Sequence, residues 1–260
     1  MKKSHLFYFL CFLLVYLSGT LPVKAQDESK DQLCWIHEEK VKVDMLDKYE
    51  STTKDIVKMF KEGDLGIDIY ASQRDDNWFY YLIPISKYSD IDSIYKDFGS
   101  AREKVGADKW TSKMVENSST VEMSKDIIVT RSGKYSYTPK NPRIKDNEVK
   151  FIHWDYFTVI PEKRKEFFDV AGQFKELYEK NDIGMEYGVW FPQFGFDNDL
   201  VVVTQAAKDA VDYYQTSHMI DEKLGKDGEM LWNKLLTTLK DFTHFNGHPR
   251  RDLSMIKQQN

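Results

Sequence analysis

The chain has 260 residues, of which 41% are hydrophobic, 14% aromatic and 30% charged, with seven prolines and two cysteines. This composition excludes a collagen-like chain, a disulfide-stapled miniprotein and a mostly disordered chain. The length allows one or two domains of about 100–200 residues each, with a sizeable hydrophobic core.

Residues 1–25 are predicted to be a secretory signal peptide rather than part of the fold. Lys2 and Lys3 give a positive start, an unbroken apolar run extends from Leu6 to Leu17, and a short polar stretch ends at Ala25. This order is typical of a signal peptide, and the run is shorter than the about 20 residues of a membrane span. We expect cleavage after Ala25 and a periplasmic or extracellular product; an uncleaved anchor is the alternative.

Cleavage after Ala25 would leave 34 basic and 42 acidic side chains, a net charge of −8. This excess of acid argues against general binding to nucleic acid or to an anionic membrane. Cys34 would be the remaining cysteine, so no intrachain disulfide is expected and stability must come from burial. Because it stands beside Trp35 and Ile36, Cys34 is expected to be a buried, inert thiol.

Four short segments of the first half have partners in the second half, in the same order. Residues 35–39 match 151–155, 65–68 match 183–186, 103–106 match 222–225, and 125–126 match 240–241. The nearly constant spacing predicts a duplication, with one repeat over 34–139 and the other over 149–254. Residues 140–148 are polar and proline-interrupted, which is typical of a linker.

The hydrophobic periodicity predicts the same order of elements in both repeats: strand, helix, two strands, helix, strand. In the first repeat the predicted elements are a strand at 35–43, a helix at 47–60, strands at 65–71 and 78–85, helices from 89 toward 123 with a break near Gly99 or Gly106, and a strand at 126–130. In the second they are a strand at 150–160, a helix from Pro161, strands at 185–191 and 200–204, broken helices over 208–239, and a strand at 242–245.

This order is the ferredoxin-like β-α-β-β-α-β pattern, in which the helices cover one face of an antiparallel sheet. The uncovered face must also be buried. We therefore expect an α+β fold in which the two repeats pack sheet to sheet as a pseudo-twofold α+β barrel.

The layout resembles the dimeric α+β barrel superfamily, with its antibiotic-biosynthesis-monooxygenase-type and NIPSNAP-type members, fused in tandem over residues 34–254. The resemblance rests on architecture. It implies a superfamily that includes cofactor-free oxygenases, haem-degrading or haem-binding proteins, isomerases and proteins without known activity. The fold alone therefore does not select a function.

The candidate catalytic residues are two histidine–acid pairs, His37 with Glu39 and His153 with Asp155. Strand alternation places each histidine on the same face as its acid, and the repeat places the pairs at matching positions. If that face lines the space between the sheets, both pairs approach one cavity, where they could transfer protons or hold a metal or a haem iron. The alternative is that each histidine is a hydrogen-bonded strand residue whose acid is solvated.

The candidate ligand-binding residues all lie in the second repeat. His218 has glycine opposite it in the first repeat, and Tyr187, Trp190 and Phe191 belong to an aromatic-rich strand. Such rings can wall a pocket for an apolar ligand or fill the core between the sheets. We expect the second repeat to hold the site, with the hairpin loop from Phe191 to Asn198 as a lid.

The sequence contains no metal-ligand spacing such as His-Glu-x-x-His, no phosphate-binding glycine loop and no G-x-S-x-G elbow. We therefore expect an exported protein without a metal or other cofactor that binds a small apolar or aromatic ligand. The alternatives are a monooxygenase-type barrel enzyme and a haem-binding protein that uses His37 or His153. Whether the chain is an enzyme, and whether it forms homo-oligomers, stays open at this point.

Overall fold

The structure is a computed structural model that describes residues 30–257. The predicted signal peptide, residues 1–25, lies outside the described residues. The strands β1 to β8 are Gln32–Val41, Tyr70–Arg74, Trp78–Ile85, Val121–Arg131, Phe151–Val159, Tyr187–Phe194, Leu200–Ala207 and Leu239–Pro249. The helices α1 to α5 are Leu46–Glu62, Asp90–Val105, Ala107–Ser118, Arg164–Lys180 and Ala210–Leu236.

The eight strands form a closed barrel in the order β1-β3-β2-β8-β5-β7-β6-β4. Each half of the chain contributes four neighbouring strands, and the halves meet where β2 pairs with β8 and where β4 pairs with β6. All eight pairs of neighbouring strands around the barrel are antiparallel. The predicted α+β fold is confirmed, with the uncovered sheet faces buried inside the barrel.

Several element boundaries differ from the predicted ones for local reasons. β2 begins at Tyr70 rather than at residue 65. Leu65 and Ile67 are apolar because they pack in the core beside α1, and they do not belong to a strand. The first break between helices falls at Gly106, which has a φ of 98° that glycine tolerates. In the second half the predicted broken helices are present, because α5 consists of two helical segments that meet at a kink at Gly225.

The two faces of the barrel wall have different neighbours. On β1, Trp35 faces outward and packs with Ile56 and Met59 of α1. Cys34 and its neighbours on the inner face pack in a separate cluster inside the barrel. Cys34 is 1% exposed, and burial raises the pKa of its thiol to about 12, against the opposing charge of Arg131. The thiol is therefore buried, as the sequence predicts.

The structural repeat has a spacing of 118 residues along its first strand and helix. The bulges at Lys40/Val41 and Thr158/Val159, the short 3-10 helices after β1 and β5, and the 17-residue helices α1 and α4 are all displaced by this number. The match of 35–39 with 151–155 is therefore wrong by two residues. In the structure His37 corresponds to Asp155, and His153 corresponds to Trp35.

The predicted unit boundaries, 34–139, 140–148 and 149–254, stay predictions. The connection between β4 and β5 contains one short 3-10 helix, Asp146–Glu148. No helix in the range 30–257 is both long enough and apolar enough to cross a membrane.

Candidate functional site

A cavity of about 740 Å³ lies in the second unit, between the outer face of the sheet and the helices α4 and α5. Phe157, Tyr187 and Val203 contribute to it from β5, β6 and β7. Phe174 and Tyr178 contribute from α4. Its volume falls in the range of about 300–1,000 Å³ that is typical of small-molecule sites. We call it the outer cavity.

The helices shape the outer cavity through two sequence features. Phe167, Phe174 and Tyr178 are spaced so that they share one face of α4, and all three line the cavity. In α5, Gly225 has a φ of 53° and a ψ of −137°, which are not helical angles, so the helix bends there. Leu224 and Gly225 both line the cavity, and the bend therefore forms part of its wall.

Asp155 brings a carboxylate to the outer cavity, and His153 lies behind it. The Nε2 of His153 lies 3.1 Å from Oδ1 of Asp155, and its Nδ1 lies 2.7 Å from Oδ1 of Asn246, both within hydrogen-bond distance. Burial lowers the pKa of His153, but the hydrogen bond and charge of Asp155, together with Asn246, raise it above its ordinary value. The imidazole also stacks on Tyr213 at 4.5 Å between ring centroids. Asp155 thus faces the cavity with an imidazole behind it whose pKa is raised.

Three more acidic side chains, Asp221, Glu222 and Glu229, line the outer cavity from α5. His218 lies among them with its side chain 75% exposed, and its Nε2 is 3.4 Å from Oε1 of Glu222. The described residues that line the cavity include no lysine and no arginine. The cavity therefore combines an aromatic wall with negative charge, which favours a neutral or positively charged ligand over an anion.

The corresponding outer face of the first unit is occupied by a chain of hydrogen bonds. Tyr49, which is fully buried, donates to Oε2 of Glu39 at 2.5 Å, and its hydroxyl oxygen lies 2.6 Å from that of Tyr81. The Nδ1 of His37 is 2.9 Å from Oδ1 of Asp126, and its Nε2 is 3.4 Å from Oε1 of Glu39. Burial lowers the pKa of His37, but the two carboxylates outweigh burial and raise it to about 9.

The two predicted histidine–acid pairs do not approach one cavity. His37 with Glu39, and His153 with Asp155, lie on the outer faces of β1 and β5, where they contact Tyr49 of α1 and Tyr213 of α5. The residues that alternate with these pairs face the barrel interior instead. They are Ile36 and Glu38 on β1, and Ile152 and Trp154 on β5. The face that holds the histidine–acid pairs does not line the space between the sheets, so the condition for a shared cavity is not met. Alternation gives the spacing along a strand but not the direction of each face.

The structure also separates the four predicted ligand-binding residues. Tyr187 and His218 line the outer cavity. Trp190 lines a smaller cavity inside the barrel, where its Nε1 donates to Oγ1 of Thr204 at 2.9 Å. Phe191 borders that interior cavity and also packs edge to face on Phe168 of α4. The β6–β7 loop, predicted as a lid, places Phe196 at the interior cavity rather than at the outer one.

Solved structures with the same architecture cover most of the chain at low sequence identity. An anthrone oxidase-like protein has a TM-score of 0.57 and 10% identity, covering 85% of this chain and 92% of that one. A candidate monooxygenase from Fusobacterium nucleatum has a TM-score of 0.52 and 14% identity, covering 85% and 93%. A variant of chlorite dismutase from Candidatus Nitrospira defluvii has a TM-score of 0.51 and 8% identity, covering 85% and 92%.

These similarities show the fold alone, which is that of the dimeric α+β barrel proteins, as the sequence predicts. No protein-family model matches the chain, and no curated protein sequence matches it. Within residues 30–257, no group of three or more histidine, cysteine, aspartate or glutamate side chains is arranged to hold a metal ion.

Proposed function

We propose that the chain is an exported protein that binds a small, largely aromatic or apolar ligand in the outer cavity of the second unit. The observation that carries the proposal is the cavity of about 740 Å³ with its wall of tyrosine and phenylalanine rings. Its acidic lining favours a ligand that is neutral or positively charged. Export rests on the signal-like order of residues 1–25.

A matched pair of fluorescent probes tests this proposal. N-phenyl-1-naphthylamine and 8-anilino-1-naphthalenesulfonate share an anilinonaphthalene body and differ by one sulfonate. We expect the neutral probe to bind at least tenfold more tightly, because the cavity repels the sulfonate of the other. The measurement is a fluorescence titration of the mature protein.

Two neighbouring valines on β7 provide the variants. Val203 lines the outer cavity, and Val202 lines the cavity inside the barrel. We expect Val203→Phe to weaken binding of the neutral probe at least tenfold and Val202→Phe to leave it unchanged. Absence of binding, or binding that Val203→Phe does not alter, would contradict the proposal.

Haem, which the fold family implies as an alternative ligand, does not fit the residues present. Its two carboxylates would meet Asp221, Glu222 and Glu229, without a lysine or arginine among the described lining residues. His218 is mostly exposed and faces Glu222, while both ring nitrogens of His153 and of His37 are within reach of side-chain oxygens. Neither His37 nor His153 presents a free nitrogen to the outer cavity, and the Nε2 of His218 is directed at Glu222.

A monooxygenase-type activity is the second candidate, because a carboxylate lies where an aromatic ligand would sit. Asp155 could accept the proton of a ring hydroxyl, and His153, whose Nε2 lies 3.1 Å from Oδ1 of Asp155, would orient the carboxylate. If so, O2 oxidises a hydroquinone to a hydroxyquinone, with its second oxygen atom released as water, and Asp155→Asn lowers the rate of oxygen uptake at least tenfold while probe binding is kept. No oxygen uptake above a heat-denatured control would count against the enzymatic role and leave the binding proposal standing.

A further inference from the structure

The barrel interior contains a second cavity, of about 230 Å³, which we call the inner cavity. Its wall is mostly apolar and includes Ile36, Leu82, Trp154, Trp190 and Val202. An apolar cavity of about 150 Å³ is enough to bind benzene in an engineered protein. The inner cavity therefore has room for a molecule with one or two aromatic rings.

One buried carboxylate lies in this apolar wall. Glu38 lines the inner cavity and is 4% exposed. Its Oε2 is 3.0 Å from Nζ of Lys125, which forms its ion pair within the described chain. Burial raises the pKa of Glu38, and the charge of Lys125 opposes that shift. A buried carboxylate in contact with a ligand-sized space is costly unless it forms further hydrogen bonds.

Four of the other polar side chains around the inner cavity form hydrogen bonds with each other or with Arg74. Nη1 of Arg74 donates to the hydroxyl of Tyr80 at 3.0 Å, and that hydroxyl lies 3.3 Å from the hydroxyl of Tyr156. The Nε1 of Trp190 is bonded to Thr204. Glu38 is the carboxylate in this wall, and because Lys125 pairs with its Oε2, its Oε1 can accept a donor from a ligand.

The surrounding charges decide which donor Glu38 can accept. Lys125 already neutralises the carboxylate, and Arg74 adds a second positive charge whose field reaches Glu38. A ligand ammonium would be repelled by both cations, whereas a neutral N–H or O–H group would not be repelled. Aromatic side chains, among them Tyr80, Trp154 and Trp190, would contact the ring of the ligand.

We propose that the inner cavity is a second binding site, separate from the outer cavity, for a small neutral aromatic molecule that donates one hydrogen bond to Glu38. Indole and phenol represent this chemical class. The site does not depend on the ligand of the outer cavity, because the two spaces lie on opposite faces of the same strands.

The test compares indole with benzothiophene, which has nearly the same shape but no N–H donor, by isothermal titration calorimetry on the mature protein. We expect indole to bind about tenfold more tightly. Val202→Phe fills the inner cavity and should weaken indole binding at least tenfold. Val203→Phe, the matched change on the opposite face, should remove any indole binding in the outer cavity and leave indole binding in the inner cavity unchanged.

Glu38→Leu should remove the preference for indole over benzothiophene while leaving room for both. If this variant does not fold, the two valine variants still decide the question. Equal affinity for the two compounds, or indole binding that is lost in Val203→Phe and kept in Val202→Phe, would overturn the proposal. The anilinonaphthalene titrations test the outer cavity and the indole titrations test the inner cavity, with the same two valine variants. The failure of one proposal can therefore be distinguished from the failure of the other.

Discussion

Replacing Gly247 with alanine is expected to lower the free energy of unfolding by about 3 kcal/mol or more. Gly247 lies in β8, opposite Arg74 of β2, where the two halves of the barrel join. An added Cβ would overlap the backbone carbonyl oxygen of Gln73 and crowd Cα of Arg74. Because both obstacles are backbone atoms, the strain can be relieved only by opening the β2–β8 pairing.

Urea denaturation measures this effect, and Gly172→Ala is its control. Gly172 lies within α4, and a Cβ added there meets no atom within 4 Å. Alanine at that position should stabilise the protein by about 0.5–1 kcal/mol, since glycine is a poor helix former. Wild-type stability in Gly247→Ala would mean that β2 and β8 are not held as closely as the structure describes.

The order of elements could be predicted because glycine, proline and polar turns interrupt the hydrophobic patterns at element ends. Trp78–Ile85, for example, has the same bounds in the pattern and in the structure. The pairing of β2 with β8 and of β4 with β6 could not be predicted in register, because it depends on backbone contacts between residues far apart in sequence. Gly247 has its role only through that pairing.

The repeat was recognisable, but its register along the first strand was not. Ile-His occurs in both β1 and β5, and this chance similarity favours a spacing of 116 residues over the true 118. A shift of two residues keeps every side chain on the same face of its strand, so alternation cannot detect the error. The lengths and positions of α1 and α4, which contain 17 residues each, fix the register instead.

The site was only partly predictable because both faces of this sheet are buried. Ile36 and His37 are neighbours of which one faces the inner cavity and the other faces the helix layer, and neither face is marked as inner by composition. Phe174 and Tyr178 carried a usable signal, since their spacing on α4 predicts one helix face. The presence of the outer cavity is harder to predict, because the same aromatic rings could pack against each other without leaving a space.

The two halves differ in the chemistry of two matching positions between the sheet and the helices, and this difference leads to the second prediction. In the first half, Glu39 and Tyr49 form a buried hydrogen bond. At the positions 118 residues later, Phe157 and Phe167 lie 6.0 Å apart between ring centroids and line the outer cavity. The first half therefore closes its sheet–helix layer with polar bonds where the second half has apolar walls.

Tyr49→Phe is expected to lower the free energy of unfolding by about 2 kcal/mol. The change keeps the ring, but in a buried layer the carboxylate of Glu39 loses the donor on its Oε2 and the hydroxyl of Tyr81 loses one of its two partners. Leaving a buried carboxylate oxygen short of a donor costs more than the lost bond alone. Urea denaturation of the variant and the wild type gives the difference.

Tyr95→Phe is the matched control, because it removes the same hydroxyl from a side chain that is 61% exposed. Its stability should stay within about 0.5 kcal/mol of the wild type. An equal loss in both variants would show that the Tyr49–Glu39 bond has no special weight. A loss confined to Tyr49→Phe would show that polar bonds stabilise the first unit where apolar packing encloses a cavity in the second.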